Sequence, residues 1–198
     1  MGLVLQYDYG QTPLSEEEKE GLLICTITTQ EELNEHEQLN IEQAIEWIIN
    51  QRLKKETILS EGFIKRLHKK MFGNVWSWAG EFRKSEKNIG VEWIKIAVDL
   101  KALLDDVRFW IENETYSADE ITIRFKHRLV NIHCFPNGNG RHSRIMADIL
   151  IEFVFGNNLF SWNQSNMIKA DATRKQYIKA LQAADKGNIL PLIDFARN

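Results

Sequence analysis

The stretch that most constrains the fold is RHSRIMADILIEFVF, residues 141–155, which is apolar nearly all round. An ordinary surface helix carries one apolar stripe and one polar face. A helix without a polar face must be covered by neighbours on most sides, so the chain predicts a central helix inside a bundle. Three prolines in 198 residues leave room for other long helices to surround it.

The rest of the chain supplies those helices. The opening residues carry Glu16-Glu17-Glu18-Lys19-Glu20 and predict at most one short helix. A long helix is predicted from Thr29, with Thr29 as its N-cap and Glu32 completing a capping box. Leu33, Ile41, Ala44, Ile45 and Ile48 fall at helical spacing along it. A second helix is predicted over about Thr57–Met71, with Ile58, Phe63, Ile64 and Leu67 inward and Gly73-Asn74 ending it. Residues 75–93 are aromatic and glycine-punctuated, and predict short extended pieces around Ser85–Val91, a hairpin with its turn at Lys87-Asn88. Helices follow over Trp93–Asn113, on a face marked by Ile94, Ala97, Val98, Lys101, Leu104 and Val107, and from a Ser117 or Asp119 cap to Ile132. Two more are predicted over about Met167–Ala184 and Leu190–Ala196. The expected class is all-α, one domain, with a small β-hairpin flap.

Composition excludes several kinds of protein. At 43% hydrophobic and 27% charged, the chain can bury a core and is not a disordered one. No apolar run reaches the roughly 18 residues that span a bilayer, so no membrane partner is expected. Two cysteines, Cys25 and Cys134, make neither a disulfide scaffold nor a Cys-rich zinc site. His36, His68 and His127 lie on predicted helices without metal-ligand spacing. A net charge of -3 argues against binding nucleic acid by neutralising phosphates. The first residues lack a basic region followed by an apolar run, and a cytoplasmic location is expected. The oligomeric state is left open.

The chemistry concentrates in Ile132-His133-Cys134-Phe135-Pro136-Asn137-Gly138-Asn139-Gly140-Arg141-His142-Ser143-Arg144. Glycines flanking an asparagine immediately before a helix let backbone N–H groups converge on an anion. The helix N-terminus adds positive partial charge, which suits phosphate. Arg141 and Arg144, three apart, sit in the first turn as a cationic clamp. His133, just before the loop, is the side chain best placed by ordinary pKa for general-base work. Taken singly, a GNG turn, one histidine and two arginines are commonplace. Twelve residues that hold base, anion cradle and clamp in that order are not.

This stretch resembles the signature of the Fic (Fido) family, HxFx(D/E)GNGRxxR, at His133, Phe135, Gly138, Asn139, Gly140, Arg141 and Arg144. VWSWAGEFR at Val75–Arg83 resembles the family's segment before its flap. ATRKQYIKALQAADKGN at Ala172–Asn188 resembles the helix that closes its nucleotide site. The whole pattern is most similar to small bacterial proteins of the mobile mystery protein B group. The resemblance implies a Fic-type helical bundle over residues 30–195, after an N-terminal segment 1–29, with a flap near 84–93 and the active-site loop at 133–144.

It also implies a reaction, transfer of AMP from ATP to a hydroxyl of a target protein. His133 would take the proton from a target Ser, Thr or Tyr. Gly138, Asn139 and Gly140 would line the anion cradle, with the Asn139 side chain touching phosphate. Arg141 would contact phosphate and Arg144 would hold the γ-phosphate. Ile89, Val91 and Trp93 on the flap are candidates for pinning the acceptor side chain, against a plain hairpin that packs Ile89 and Trp93 into the core. Arg174 and Tyr177 are candidates for lying beside the nucleotide, with Tyr177 equally readable as a tyrosine at the edge of the core.

Two departures from the family pattern bear on activity. Asn137 replaces the carboxylate that binds Mg²⁺ in the family. An amide offers an oxygen without charge, so weaker Mg²⁺ binding and weak, Mg²⁺-dependent transfer are expected. Thr28-Thr29-Gln30-Glu31-Glu32 gives the spacing of the family's inhibitory (S/T)xxxE(G/N) pattern near 28–36, except that Leu33 stands in the place of Gly or Asn. Glu32 is thus either an inhibitor paired with Arg144 or only a capping-box residue. The rival functions are another phosphate-centred transfer, such as a kinase, and a catalytically weakened nucleotide-binding module.

Overall fold

The computed structural model describes residues 12–163 and 170–198. Its helices are α1 (Glu16–Lys19), α2 (Gln30–Ile49), α3 (Lys55–Ile58), α4 (Glu61–Phe72), α5 (Ile96–Glu112), α6 (Ala118–Ile132), α7 (Asn139–Phe153), α8 (Ala170–Asp185) and α9 (Leu190–Arg197). Residues 167–169, where the last long helix was expected to begin, lie outside the described residues.

Local chemistry sets the boundaries. The Thr29 hydroxyl accepts from Glu32 N and the Glu32 carboxylate returns to Thr29 N, a complete capping box for α2. Ser117 caps α6 by accepting from Glu120 N. The helix expected from Thr57 is divided. The Ser60 hydroxyl donates to Thr57 O and accepts from Phe63 N, which closes α3 and starts α4 afresh.

α7 is the axis of the fold. Met146, Ile149 and Leu150 enter the larger core with α2, α4, α5 and α6. Ala147 and Ile151 enter a second core with Phe160, Trp162, Tyr177, Leu192 and Phe195 from the C-terminal third of the chain. A helix wedged between two cores buries most of its surface, and only a few of its polar positions, Glu152 and part of Arg141 among them, reach solvent. α6 packs along α7, α5 along α6, α2 along α4, and α8 along α9. The segment before α2 is part of this body, since Leu14 and Ile27 are buried in the larger core. Among the described residues, no helix is long and apolar enough to cross a membrane.

Three expectations need correction. Ile45 is 41% exposed, because the buried stripe of α2 runs through Leu33, Glu37, Asn40, Ile41, Ala44 and Ile48. Ile94 and Val98 are also exposed. A 3₁₀ turn at Trp93–Lys95 precedes α5 and shifts its phase, so Ile96, Leu100, Leu103, Leu104 and Val107 face inward instead. The flap at 84–93 is a looped segment without a hairpin ladder, and the β pairing among the described residues is an isolated bridge between Leu22 and Trp76. The carbonyls of Ser85 and Val91 are taken by the Arg83 side chain instead of by a partner strand.

Leu150, fully buried on α7, tests the central role of that helix. Leu150→Ala is expected to lower unfolding free energy by about 2–5 kcal/mol, measured by urea denaturation.

Candidate active site

The site begins where α6 ends. His133 is the C-cap of α6 in the left-handed region, φ 56° and ψ 59°. Few residues other than glycine adopt that conformation without support. Here the His133 carbonyl accepts from Arg83 Nε at 2.7 Å, and the Cys134 carbonyl accepts from the Arg83 backbone N–H at 2.9 Å. His133 is 4% exposed, and its ring nitrogens make no well-formed hydrogen bond, the Val130 backbone being at most a weak polar neighbour. Burial, followed by the charges of Arg83 and Lys87, lowers its pKa to about 4. The imidazole is therefore neutral at pH 7, with a ring lone pair available.

Residues 134–140 are held from three sides. Phe135 is fully buried and stacks on the His68 ring, centroids 3.7 Å apart. The Asn139 side chain accepts from Phe135 N at 3.0 Å and donates to Phe135 O at 2.8 Å. That amide fixes the loop and keeps one N–H for a further acceptor. His68 Nδ1 accepts from Gly80 N, which leaves Nε2 protonated to donate to the Asn137 carbonyl at 3.0 Å. Gly138 caps α7 at φ +77°, and a Cβ there would lie 2.6 Å from the Phe72 ring. Only glycine fits. Gly140 differs, because a Cβ on it would meet nothing within 4 Å. The start of α7 thus opens into free space at Gly140, where the first N–H groups of a helix lack helical acceptors.

The two arginines have different partners. Arg141 Nη2 reaches the buried Glu37 carboxylate of α2 at 2.7 Å, and that carboxylate also accepts from Trp76 Nε1 at 2.6 Å. The Arg141 side chain remains 40% exposed. Arg144 lies 4.4 Å over the Tyr177 ring, and its Nε is buried without a partner. Tyr177 is buried on α8 and its hydroxyl accepts from Lys126 of α6. Burial would raise the phenol's pKa, but Lys126 and Arg144 together outweigh it and the net shift is downward. Arg174 is half-buried on the same helix.

Other predicted positions fall elsewhere. Glu32 Oε2 accepts from Thr28 N, Thr29 N and Thr28 Oγ1 at the exposed start of α2. The expected pairing of Glu32 with Arg144 is not formed, because the capping box holds the carboxylate. Ile89 and Trp93 are 48% and 43% exposed, so the core-packed alternative is not adopted, and Val91 is half-buried. Asn137 Oδ1 accepts from Gly138 N at 2.6 Å, and its Nδ2 donates to Thr12 O at 3.4 Å.

Four residues that structure brings to the site escaped sequence reasoning: Glu37, His68, Arg83 and Lys126. Glu37 and Lys126 each sit on the apolar stripe of a helix, and a charged residue in that phase was the available signal. His68 and Arg83 act through backbone carbonyls far along the chain, and spacing gives no sign of that.

With the geometry in view, residues 58–151 match the Fic/DOC family. The chain is 26% identical over 168 residues to the Protein adenylyltransferase Fic of Aedes aegypti, covering 82% of this chain and 32% of that one. It is 27% identical over 169 residues to the protein of the same name from Drosophila willistoni, with the same coverage. The chain spans about a third of the length of these curated relatives. Among solved structures, the BepC protein of Bartonella tribocorum with bound AMPPNP superposes with a TM-score of 0.68 at 18% identity, covering 92% of this chain and 97% of that one. A fragment of Fic-1 from C. elegans gives a TM-score of 0.65 at 22% identity, covering 90% and 51%. The likeness to both extends the family's fold beyond the matched residues.

Buried histidines give the protein a defined acid limit. The pKa values of His133 and His142 are each lowered to about 4, chiefly by burial, and that of His68 is pushed well below the ordinary value for the same reason. The unfolded chain takes up these protons below about pH 6.5, whereas the folded chain does not until about pH 4. Stability is therefore expected to be level above about pH 6.5 and to fall as the pH drops toward about 4, read from urea midpoints across that range.

Proposed function

We propose that this chain transfers AMP from ATP to a hydroxyl side chain of a target protein. The observation that carries the reading is His133, buried, neutral and with no well-formed hydrogen bond on its ring, held beside a helix start that presents Gly140, Arg141 and Arg144. The name of the relatives, protein adenylyltransferase, supports it. So does the AMPPNP bound by the structurally similar BepC protein.

In this reading the triphosphate lies along the start of α7. The N–H groups of the first turn and the Arg141 guanidinium receive phosphate oxygens. Arg144 supplies charge to the terminal phosphate. His133 takes the proton from a Ser, Thr or Tyr hydroxyl, and the oxygen attacks the α-phosphorus. The bond from the α-phosphorus to the bridging oxygen breaks, and pyrophosphate leaves with the electron pair. A free imidazole at about 4 is a weak base. The bound polyanion favours its protonated form and so strengthens it as the proton is taken. Ile89 and Trp93, exposed on the segment whose Gly90 packs against His133, are the side chains offered to the target. Residues 30–195 form the catalytic domain in this reading, and the free cysteines Cys25 and Cys134 suit a cytoplasmic setting.

Magnesium fits this chain poorly. Among the described residues, no group of three or more His, Cys, Asp or Glu side chains could hold a metal ion. The one oxygen at the family's metal position, Asn137 Oδ1, already accepts a hydrogen bond from Gly138 N. Mg²⁺ would arrive on the phosphates of ATP, with weak help from Asn137.

Two experiments test the reading. Wild type and His133→Ala are incubated separately with α- and γ-labelled ATP and Mg²⁺. Label from the α-position is expected on protein with wild type only, His133→Ala losing on the order of 10²–10⁴-fold in rate. Label from the γ-position would indicate a kinase instead. ATP binding without any transfer would leave a nucleotide-binding module. In the second experiment, ATP affinity is measured calorimetrically with Mg²⁺ and with EDTA. Wild type is expected to bind ATP more tightly with Mg²⁺ than with EDTA, and Asn137→Asp to gain on the order of tenfold more by supplying a charged ligand.

A further inference from the structure

Arg83 lies outside the signature motif, yet its side chain bonds both the flap and the residues that lead into the catalytic loop. Its own side chain is fully buried. Nε donates to His133 O at 2.7 Å, and Nη2 donates to Val91 O and, at 3.5 Å, to Ile132 O. Nη1 donates to Ser85 O at 2.8 Å. One planar guanidinium thus ties both ends of the flap to the two residues where α6 gives way to the loop. Gly90 fits beneath the same group at φ +103°, where an added Cβ would lie 2.6 Å from His133 Cβ and 2.9 Å from Arg83 Nη2.

From this geometry we infer that Arg83 is the positioning residue of His133: it fixes the histidine's left-handed backbone and seats the flap against it. The inference rests on the reading of His133 as the transfer base. The charged groups around His133 are Arg83 and Lys87, with Glu86 3.9 Å from Arg83 Nη1 and Glu18 paired to Lys87. The neighbouring Cys134 thiol, pushed up to about 12 by burial, stays neutral. Removing Arg83 takes away a cation that opposes protonation of His133. Lys87 is tied to the carboxylate of Glu18 and cannot replace its hydrogen bonds.

The test uses Arg83→Gln, Arg83→Lys and Gly90→Ala in the full chain. Thermal melting and circular dichroism check folding. The readouts are ATP affinity by calorimetry, transfer from α-labelled ATP, and the His133 ring titration by NMR, assigned against His133→Ala. Arg83→Gln is expected to keep ATP affinity within about twofold while transfer falls on the order of 100-fold, since a misplaced base costs turnover more than binding. Its His133 midpoint is expected to rise from about 4 by the part that Arg83 contributes, while burial, the larger cause, keeps it below the ordinary histidine value. Arg83→Lys keeps the charge but not the fork, so transfer falls while the midpoint stays low. Gly90→Ala, which pushes the flap off the histidine, also slows transfer with ATP affinity retained.

A folded Arg83→Gln protein with an unmoved His133 midpoint overturns the inference. So do folded variants that transfer at the wild-type rate. If Arg83→Gln does not fold, Arg83→Lys and Gly90→Ala decide it by the split between transfer and ATP affinity. If wild type binds ATP but transfers nothing, the adenylyl-transfer reading fails and the His133 titration alone decides the role of Arg83.

Discussion

The burial of α7 between two cores is the constraint from which the rest of the site follows. A helix buried along most of its length cannot leave the buried polar groups of its first turn unpaired, because a buried unsatisfied polar group costs about 1–3 kcal/mol. The protein satisfies that turn internally. Asn139 closes on the backbone of Phe135, His142 donates to Ile64 O, and Ser143 donates to Gly140 O. His68 completes the set through the Asn137 carbonyl. Each bond that pays for burying the helix also fixes one residue of the loop before it. Only the face at Gly140 and the two arginines are left open to a ligand.

The same packing decides which groups carry charge. His68, His133 and His142 are buried without a carboxylate partner, so burial keeps all three neutral. The cations are side chains whose guanidinium or ammonium groups can be satisfied by carbonyls, rings or a single acid: Arg83, Lys87, Arg141, Arg144 and Lys126. Lys87 takes Glu18 and Arg141 takes Glu37, but Arg83 is satisfied by carbonyls, Lys126 by a phenol and Arg144 by rings. A chain with a net charge of -3 thereby assembles a local excess of positive charge around the loop. Whole-chain charge predicts little about such a site, because burial, and not composition, sets its potential.

How far the sequence could be read depended on whether a property was local. The Thr29 and Ser117 caps, the apolar α7 and the glycine loop are decided within a few residues, and each was legible. Properties set by helix phase were not. Ile45, Ile94 and Val98 were expected inward and lie exposed, since a change of one or two positions in register, such as the 3₁₀ turn before α5, rotates a whole face. The flap failed for another reason. Its glycine-punctuated stretch allowed a hairpin, but a buried arginine from just before it captured the carbonyls that a partner strand would have needed.

The two glutamates of α2 show the same logic at one site. Glu32 has the spacing of an inhibitory residue, yet it lies in the first turn, where the unsatisfied N–H of Thr29 and the nearby Thr28 are closer than any arginine of the loop. A carboxylate there is drawn to the helix start. Glu37 lies on the buried stripe with Leu33, Asn40 and Ile41, so it faces the protein and must find partners inside. It finds two, Trp76 and Arg141. Arg141 is therefore paired to an acid before any nucleotide arrives, whereas Arg144 lies over the Tyr177 ring with its Nε unpartnered. The clamp that looked symmetric in the sequence is asymmetric in the fold, and the acid responsible is chosen by its position on the helix, not by its motif.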